Sequence, residues 1–419
     1  MKKRIVFALL GLSSVMAFAG GYRVSTQGQR ALAMGHAGVA VVNSAELAFF
    51  NPAGLVYLEN QLTISAGVSG ILSNVKWQNS ETGGFAETDS GVGTPFYLYG
   101  AYKLNDKFSV GIAVYTPYGS SVEWPTDWEG SHLVNNISLR AIYIQPLVAY
   151  KIADFVSVGG GPIFVTGAVN FNRNVNRTLT DEQGDRSDVE VDASGVTNWG
   201  WSVSAMFNPI ENLRVGVNYR SEIILEAEDG KATFSDVPDS PLVPISNGET
   251  TFSASLPMPA ELTIGLSYTF KEKWLFAFDY NRTYWSVYES LDIDFANTPE
   301  NPDSVNPRNY KNSSTFRFGV QYKAMEKLAL RAGYYFDESP VQPGYFAPET
   351  PRNDSNAFTA GLTYQITSKI AIDAAFDYVH FKEIDASYDY YMENGQNVPF
   401  EGTYKSNAFV FGLGVTYKL

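Results

Sequence analysis

Ala408-Phe409-Val410-Phe411-Gly412-Leu413-Gly414-Val415-Thr416-Tyr417-Lys418-Leu419 occupies positions 408–419. Neighbouring side chains of a strand point to opposite faces. Phe409, Phe411, Leu413, Val415, Tyr417 and Leu419 therefore share one face, and Ala408, Val410, Gly412, Gly414, Thr416 and Lys418 the other. One wall suits hydrocarbon; the other, small and polar, suits a lumen. The same split recurs. Phe108, Val110, Ile112 and Val114 oppose Ser109, Gly111, Ala113 and Tyr115. Leu213, Val215, Val217 and Tyr219 oppose Arg214, Gly216, Asn218 and Arg220. Phe316, Phe318, Val320 and Tyr322 oppose Arg317, Gly319, Gln321 and Lys323. Segments 358–365 and 370–378 alternate alike. A soluble sandwich also alternates, but its polar face is long, charged and wet. Here that face is rich in Gly, Ala, Ser and Thr. Aromatics at the ends of the apolar face (Tyr219, Trp274, Tyr280, Tyr322, Tyr364, Tyr417) fit the girdles of an outer-membrane barrel.

Connections between these segments alternate in length. Short turns fall at 104–107, 152–154, 208–212, 271–273, 323–327 and 366–369. Long polar stretches lie near 78–94, 118–137, 173–194, 229–250, 296–310, 338–354 and 384–402. Six short and seven long connections predict an all-β fold, a fourteen-stranded antiparallel transmembrane barrel over 61–419, with its short turns in the periplasm. Strand five is expected near 155–172, strand six near 195–207 and strand seven near 212–228.

Composition narrows the classes. The 419 residues include 36 Gly and 14% aromatics but no Cys, which excludes disulfide scaffolds, Cys-ligated metals and thiol nucleophiles. A formal charge of −14 argues against nucleic acid, which needs a basic face. His36, His132 and His380 have no Ser-His-Asp spacing, so no catalytic residues, metal ligands or cofactors are assigned. Met1-Lys2-Lys3-Arg4, the apolar run to Met16 and Ala17-Phe18-Ala19 read as a signal peptide over residues 1–19. Its removal leaves about −17 and points to a Gram-negative envelope. Acidic outer loops such as Asp181-Glu182 and Asp185 read as solvated charge, or as sites for cations bridging lipopolysaccharide. Residues 20–60, rich in Gly and Ala, are too long for a simple tail and read as a small hatch inside the lumen.

Ala33-Met34-Gly35-His36-Ala37-Gly38, Phe49-Phe50-Asn51-Pro52-Ala53-Gly54-Leu55, Val114-Tyr115-Thr116-Pro117-Tyr118-Gly119 and Leu256-Pro257-Met258-Pro259-Ala260 carry a resemblance across the mature chain. It resembles the outer-membrane long-chain fatty acid transporters (FadL-type), which include importers of aromatic hydrocarbons. The resemblance implies passive uptake of a long-chain fatty acid or other hydrophobic molecule, caught by outer loops three and four (173–194 and 229–250). It implies a lumen pocket above a hatch whose hallmark is Asn51, Pro52 and Ala53, and sideways exit at a kink in strand three. Pro117 cannot donate to a ladder and Gly111 and Gly119 permit a bend, so these three are the kink candidates; the plainer reading starts outer loop two at Pro117. Phe49, Phe50 and Leu55 are candidates for the pocket floor, or simply seat the hatch. Lumen-facing cations are Arg214, Arg220, Arg317, Lys323 and Arg331. With strands ten and eleven meeting near residue 325, Arg317 falls opposite about Gly333 and Arg331 opposite about Gly319. As neighbours they could hold a carboxylate; otherwise they pair with Asp279, Asp373 or Asp377. A monomer among outer-membrane lipid and lipopolysaccharide is expected. The alternatives are a secretion-system component on the same scaffold and a general porin.

Overall fold

The computed structural model describes residues 21–296, 298 and 304–419; the export signal read over 1–19 lies outside them. Fourteen antiparallel strands form one closed wall. Strand one (Leu62–Gln78) pairs along its length with strand fourteen (Phe400–Lys418), from Thr63 opposite Lys418 to Gln78 opposite Thr403. Strand two comes in two pieces, Phe85–Glu87 and Phe96–Lys103. Strands three to six are Phe108–Glu123, Asn136–Ala153, Val156–Asn174 and Asp188–Ile210. Strand seven is Leu213–Arg220 and Ile223–Ser235, and strand eight Gly248–Met258 and Glu261–Phe270. Strands nine to twelve are Trp274–Thr283, Ser313–Met325, Leu328–Asp337 and Ser355–Gln365. Strand thirteen, Ile370–Phe381, extends through Ile384–Tyr388.

The alternation sorts as hydrocarbon and lumen require. On strand fourteen Phe411 and Leu413 are 54% and 63% exposed on the outer wall, while Val410, next to Phe411, is 4% exposed. At the periplasmic rim Trp274 stacks on Tyr322, with centroids 4.4 Å apart.

Strands five to eight run further outward than the alternation indicated. The charged run expected as outer loop three is ladder at its two ends, where Asn174 pairs with Asp188 and Asn170 with Asp192, and loop over 175–187. Its charges face out, and Val189, Val191 and Ala193 face in. With Phe234, Phe252 and Phe295 they build a buried apolar cluster at the outer end. In the sequence these apolar residues are interleaved with Glu190 and Asp192, and period two separates the two sets onto opposite faces.

Residues 21–60 lie against the lumen wall. They form single turns of helix at Gln29–Leu32 and Leu47–Phe50 and a 3-10 helix at Pro52–Tyr57. Glycines let this backbone touch the wall. A Cβ on Gly333 would lie 2.1 Å from the Gly35 nitrogen, and one on Gly319 2.4 Å from the Met34 oxygen. Those obstacles are backbone, so neither position accommodates a side chain. Buried polar groups pin the segment. The Asp279 carboxylate accepts from the Gly38 and Val39 N–H groups at 2.8 and 3.1 Å. Arg30 Nε lies 2.9 Å from Asp373, and Glu46 accepts from the Arg30 and Ala31 N–H groups at 3.1 Å.

Gly333→Val should leave a heat-modifiable barrel but displace residues 33–36, and planar-bilayer recordings should then show an ion conductance that wild type lacks. Burial, and after it the charge of Asp373, raises the Glu46 pKa from 4.5 to about 7. A raised carboxyl pKa favours the docked form fully below about pH 4.5 and loses that advantage as pH climbs through 7. The loss reaches about 3 kcal/mol. Thermal stability measured from pH 5 to 8 should fall more steeply in wild type than in Glu46→Gln.

Candidate functional site

A barrel wall in lipid has to pair its own backbone groups, so a lapse in the ladder marks a place of interest. Strand three pairs with strand two from Lys103↔Ser109 to Tyr97↔Tyr115 and no further. Strand two then stays with strand one, through Ser69 N–H to the Pro95 carbonyl and the Ile71–Gly93 bridge. Strand three bulges between Tyr115 and Tyr118 against strand four. On its vacated edge lies the N-terminal segment: Val24 N–H donates to the Pro117 carbonyl at 2.9 Å and Gly119 N–H to the Tyr22 carbonyl at 3.0 Å. The wall rejoins where Asp89 N–H meets the Glu123 carbonyl. The bulge contains Pro117, which has no N–H to strand. Gly119 lies just past it. Gly111 does not take part: it pairs regularly with Ala101 and Leu147 and sits beneath Leu55, so its place in the kink is corrected. Its lack of a side chain makes room for Leu55 and leaves the ladder unbent.

The segment is tied across the lumen by Arg23. Its guanidinium reaches Asp337 at 2.9 Å, Thr315 at 2.8 Å, Thr283 at 3.1 Å and Asn281 at 2.5 Å. Burial alone would lower its pKa, but Asp337 and Glu261 hold it above the ordinary value. Tyr22 beside it meets Trp285 edge-on at 4.9 Å and donates to the Pro257 carbonyl.

Cavities lie on both sides of this tie. Outward of Tyr22 is one of about 90 Å³, lined by Leu139, Val169, Val196, Leu225, Phe252 and Leu256. Its one charged lining residue, Glu349, is already paired with Arg308. On the other side is one of about 100 Å³, lined by Arg23, Val24, Ser90, Val122, Tyr335 and Val379; Ser90 and Val122 belong to the parted stretches of strands two and three. A third, about 20 Å³, is polar and holds His36, Phe49, Phe50, Arg220, Glu261 and Arg317.

The candidate residues divide among these features. Phe49 packs edge-on against Phe50 at 4.9 Å and Tyr115 at 5.0 Å, and Arg220 lies over its ring at 4.5 Å. Arg317 is buried with no hydrogen bond or ion pair among the described residues, beside His36, whose ring nitrogens are also unpartnered. Burial, then the charges of Arg317 and Arg23, push the His36 pKa well down, so its ring is neutral. Asn51 seats the turn: its side chain accepts from Ala53 N–H and donates to the Val39 and Ala205 carbonyls at 2.9 and 3.0 Å. The Pro52 and Ala53 backbone packs against Gly159, and the Ala53 carbonyl accepts from Ser157. Leu55 packs on the wall and lines none of the three cavities.

The pairing of Arg317 with Arg331 is corrected. Arg317 stands opposite Tyr335 and Arg331 opposite Gln321, because the register centres on Gly319↔Gly333. The two arginines are therefore four residues apart along the wall, about 13 Å. Met34 and Gly35 pass between them. Arg331 lies below that crossing, hydrogen-bonded to Gln321 and Thr363 at a periplasmic vestibule.

Sequence reasoning did not single out 22–24 as a partner for strand three, nor the apolar cavity. The available signal for the cavity was inward Val189, Val191 and Phe252, apolar on a face expected to be polar.

The profile of the outer membrane protein transport family (OMPP1/FadL/TodX) matches residues 10–419. A putative outer membrane protein of Neisseria meningitidis is 26% identical over 100% of this chain and 98% of its own. Outer membrane protein P1 of Haemophilus influenzae is 25% identical over 91% and 89%. Among solved structures, a Pseudomonas aeruginosa FadL homologue superposes with a TM-score of 0.81 at 18% identity, covering 95% of this chain and 99% of its own. The Pseudomonas putida toluene transporter TodX gives 0.71 at 18% identity, covering 96% and 99%. These likenesses show the fold, and the family match shows the class: the chain belongs to the OMPP1/FadL/TodX family of outer-membrane transport proteins, channels for hydrophobic compounds in Gram-negative bacteria, not enzymes.

Proposed function

We propose that this channel takes up long-chain fatty acids or small hydrocarbons passively, with residues 21–60 as its hatch, and releases them sideways between strands two and three. The parted ladder at Pro117, lined by residues 22–24, spanned by side-chain bonds of Thr116 and Ser90 and flanked by a cavity on either side, carries this reading. The inward apolar faces of the extended strands five to eight are the capture surface. The 90 Å³ cavity is of the order that admits an aromatic ring or a few methylenes. Withdrawal of Tyr22 and Val24 from strand three would join it to the second cavity and to the wall gap. A ligand leaving there re-enters hydrocarbon without crossing water, which is favoured by about 0.8 kcal/mol per CH₂. The toluene transporter and the FadL homologue among the structural neighbours support a hydrophobic cargo. Arg317, which makes no hydrogen bond or ion pair among the described residues although Asp279 stands opposite it in the ladder, lies beside Phe49 and Phe50 and is the group best placed to receive a carboxylate. The hatch also speaks against an open porin.

Two measurements test the route. Pro117→Ala with Gly119→Ala restores a ladder N–H and sets a methyl 3.2 Å from the Leu139 carbonyl. It should slow oleate uptake about tenfold in cells while the barrel stays heat-modifiable; unchanged uptake would count against the gap. Arg317→Gln should weaken oleate binding about tenfold and leave toluene binding unchanged, as read by calorimetry in detergent.

A further inference from the structure

A second stretch of wall also lacks a ladder. Strand six pairs with the lower half of strand seven up to Ser202↔Arg220, and with its upper half from Asp192↔Lys231. Between these frames, 193–201 and 222–230 have no paired residues with each other. Each stretch is paired on its other side, strand six through Gly167↔Val196 and Pro162↔Trp201, strand seven through Ile223↔Met258 and Leu225↔Leu256. The links across the seam involve Ser221, whose N–H reaches the Trp201 carbonyl at 2.9 Å, and Asn198, whose amide reaches the Ile224 carbonyl at 2.6 Å.

The cause is local. Strand seven breaks at Ser221 and Glu222, and strand eight at Pro259 and Ala260. The hairpin above both breaks is thus offset as a unit. Strand six answers with a bulge at Gly195, whose φ is +71°.

The chemistry around the seam is apolar on its inner side and on the outer face of the strand-six lip, while the outer face of the strand-seven lip carries Glu222, Glu226 and Glu228. Trp199 and Trp201 stand 63% and 48% exposed on the outer wall. Val196, Leu225 and Ala227 on the inner side line the apolar cavity. Two side chains lie across the seam: a Cβ on Gly200 would come 2.5 Å from Ile223 Cδ1, and one on Gly167 2.6 Å from Leu225 Cδ1. Both contacts are with the ends of rotatable side chains, which can swing where a ladder cannot. Glu226 and Glu228 point outward on the upper part of strand seven, and the lining of the inner side offers no cation to an anion.

We propose that this seam is a second lateral passage, joining the apolar cavity to the outer leaflet and admitting uncharged apolar molecules already dissolved in lipid, with Ile223 and Leu225 as its gate. The proposal rests on the reading of that cavity as the ligand site. The chain has no cysteine, so a staple is clean. Thr197→Cys with Glu226→Cys places one thiol on each exposed lip. The folded, reconstituted channel is cross-linked with a thiol-cleavable bismaleimide and exposed to N-phenyl-1-naphthylamine preloaded in the liposome bilayer. Stapling should slow loading of the probe at least fivefold, and reduction should restore it; Ile223→Ala without a staple should speed it. Saturable probe binding in detergent with loading unchanged by the staple would overturn the passage alone. No saturable binding in detergent would overturn the cavity reading and the passage with it.

Discussion

Every backbone N–H and C=O in the hydrocarbon layer has to find a partner inside the wall, because lipid offers none. Closure of strand one on strand fourteen satisfies that demand over sixteen consecutive residue pairs. The chain departs from it over long stretches between strands two and three and between strands six and seven, and briefly between strands four and five, where 145–147 and 161–163 have no paired residues with each other. In the first, a foreign strand, residues 22–24, supplies the missing partners. In the second, Asn198 and Ser221 bridge the lips and apolar side chains cover the seam. The two longer lapses border cavities.

The lumen is held by a different balance. Charges buried between the N-terminal segment and the wall are costly unless paired and hydrogen-bonded. Arg23 meets Asp337 and a set of hydroxyl and amide oxygens, and Arg30 meets Asp373. These contacts orient the segment, and the bare backbone at Gly319 and Gly333 lets it approach. Arg317 stands outside the balance. It makes no hydrogen bond or ion pair among the described residues, and Asp279, opposite it in the ladder, is taken up by the Gly38 and Val39 N–H groups.

Much of the barrel was legible because period two reports faces directly. Phe411 and Leu413 against Val410 could be placed on their walls from alternation alone. Register was less legible: a slip of two residues keeps every side chain on its face, so alternation could not tell whether Arg331 met Gly319 or Gln321. The outer ends of strands five to eight were hidden by their charge, since Glu190 and Asp192 masked Val189 and Val191. Gly111 misled because a glycine in a strand marks either a bend or a close neighbour, and only the packing of Leu55 decides between them. The partnership of Tyr22 and Val24 with strand three left no local signal, since it depends on where the lumen brings distant residues together.

The proposed function has this closed barrel move apolar molecules and exclude polar ones without an energy source. Its most direct test is uptake of radiolabelled oleate, beside a polar sugar of similar mass, in a strain stripped of its own hydrophobic-compound channels and complemented with this chain. Oleate uptake should rise several-fold, persist with an uncoupler, and leave sugar entry unchanged. Sugar entry rising with oleate, or oleate uptake no higher than in the empty strain, would contradict the account.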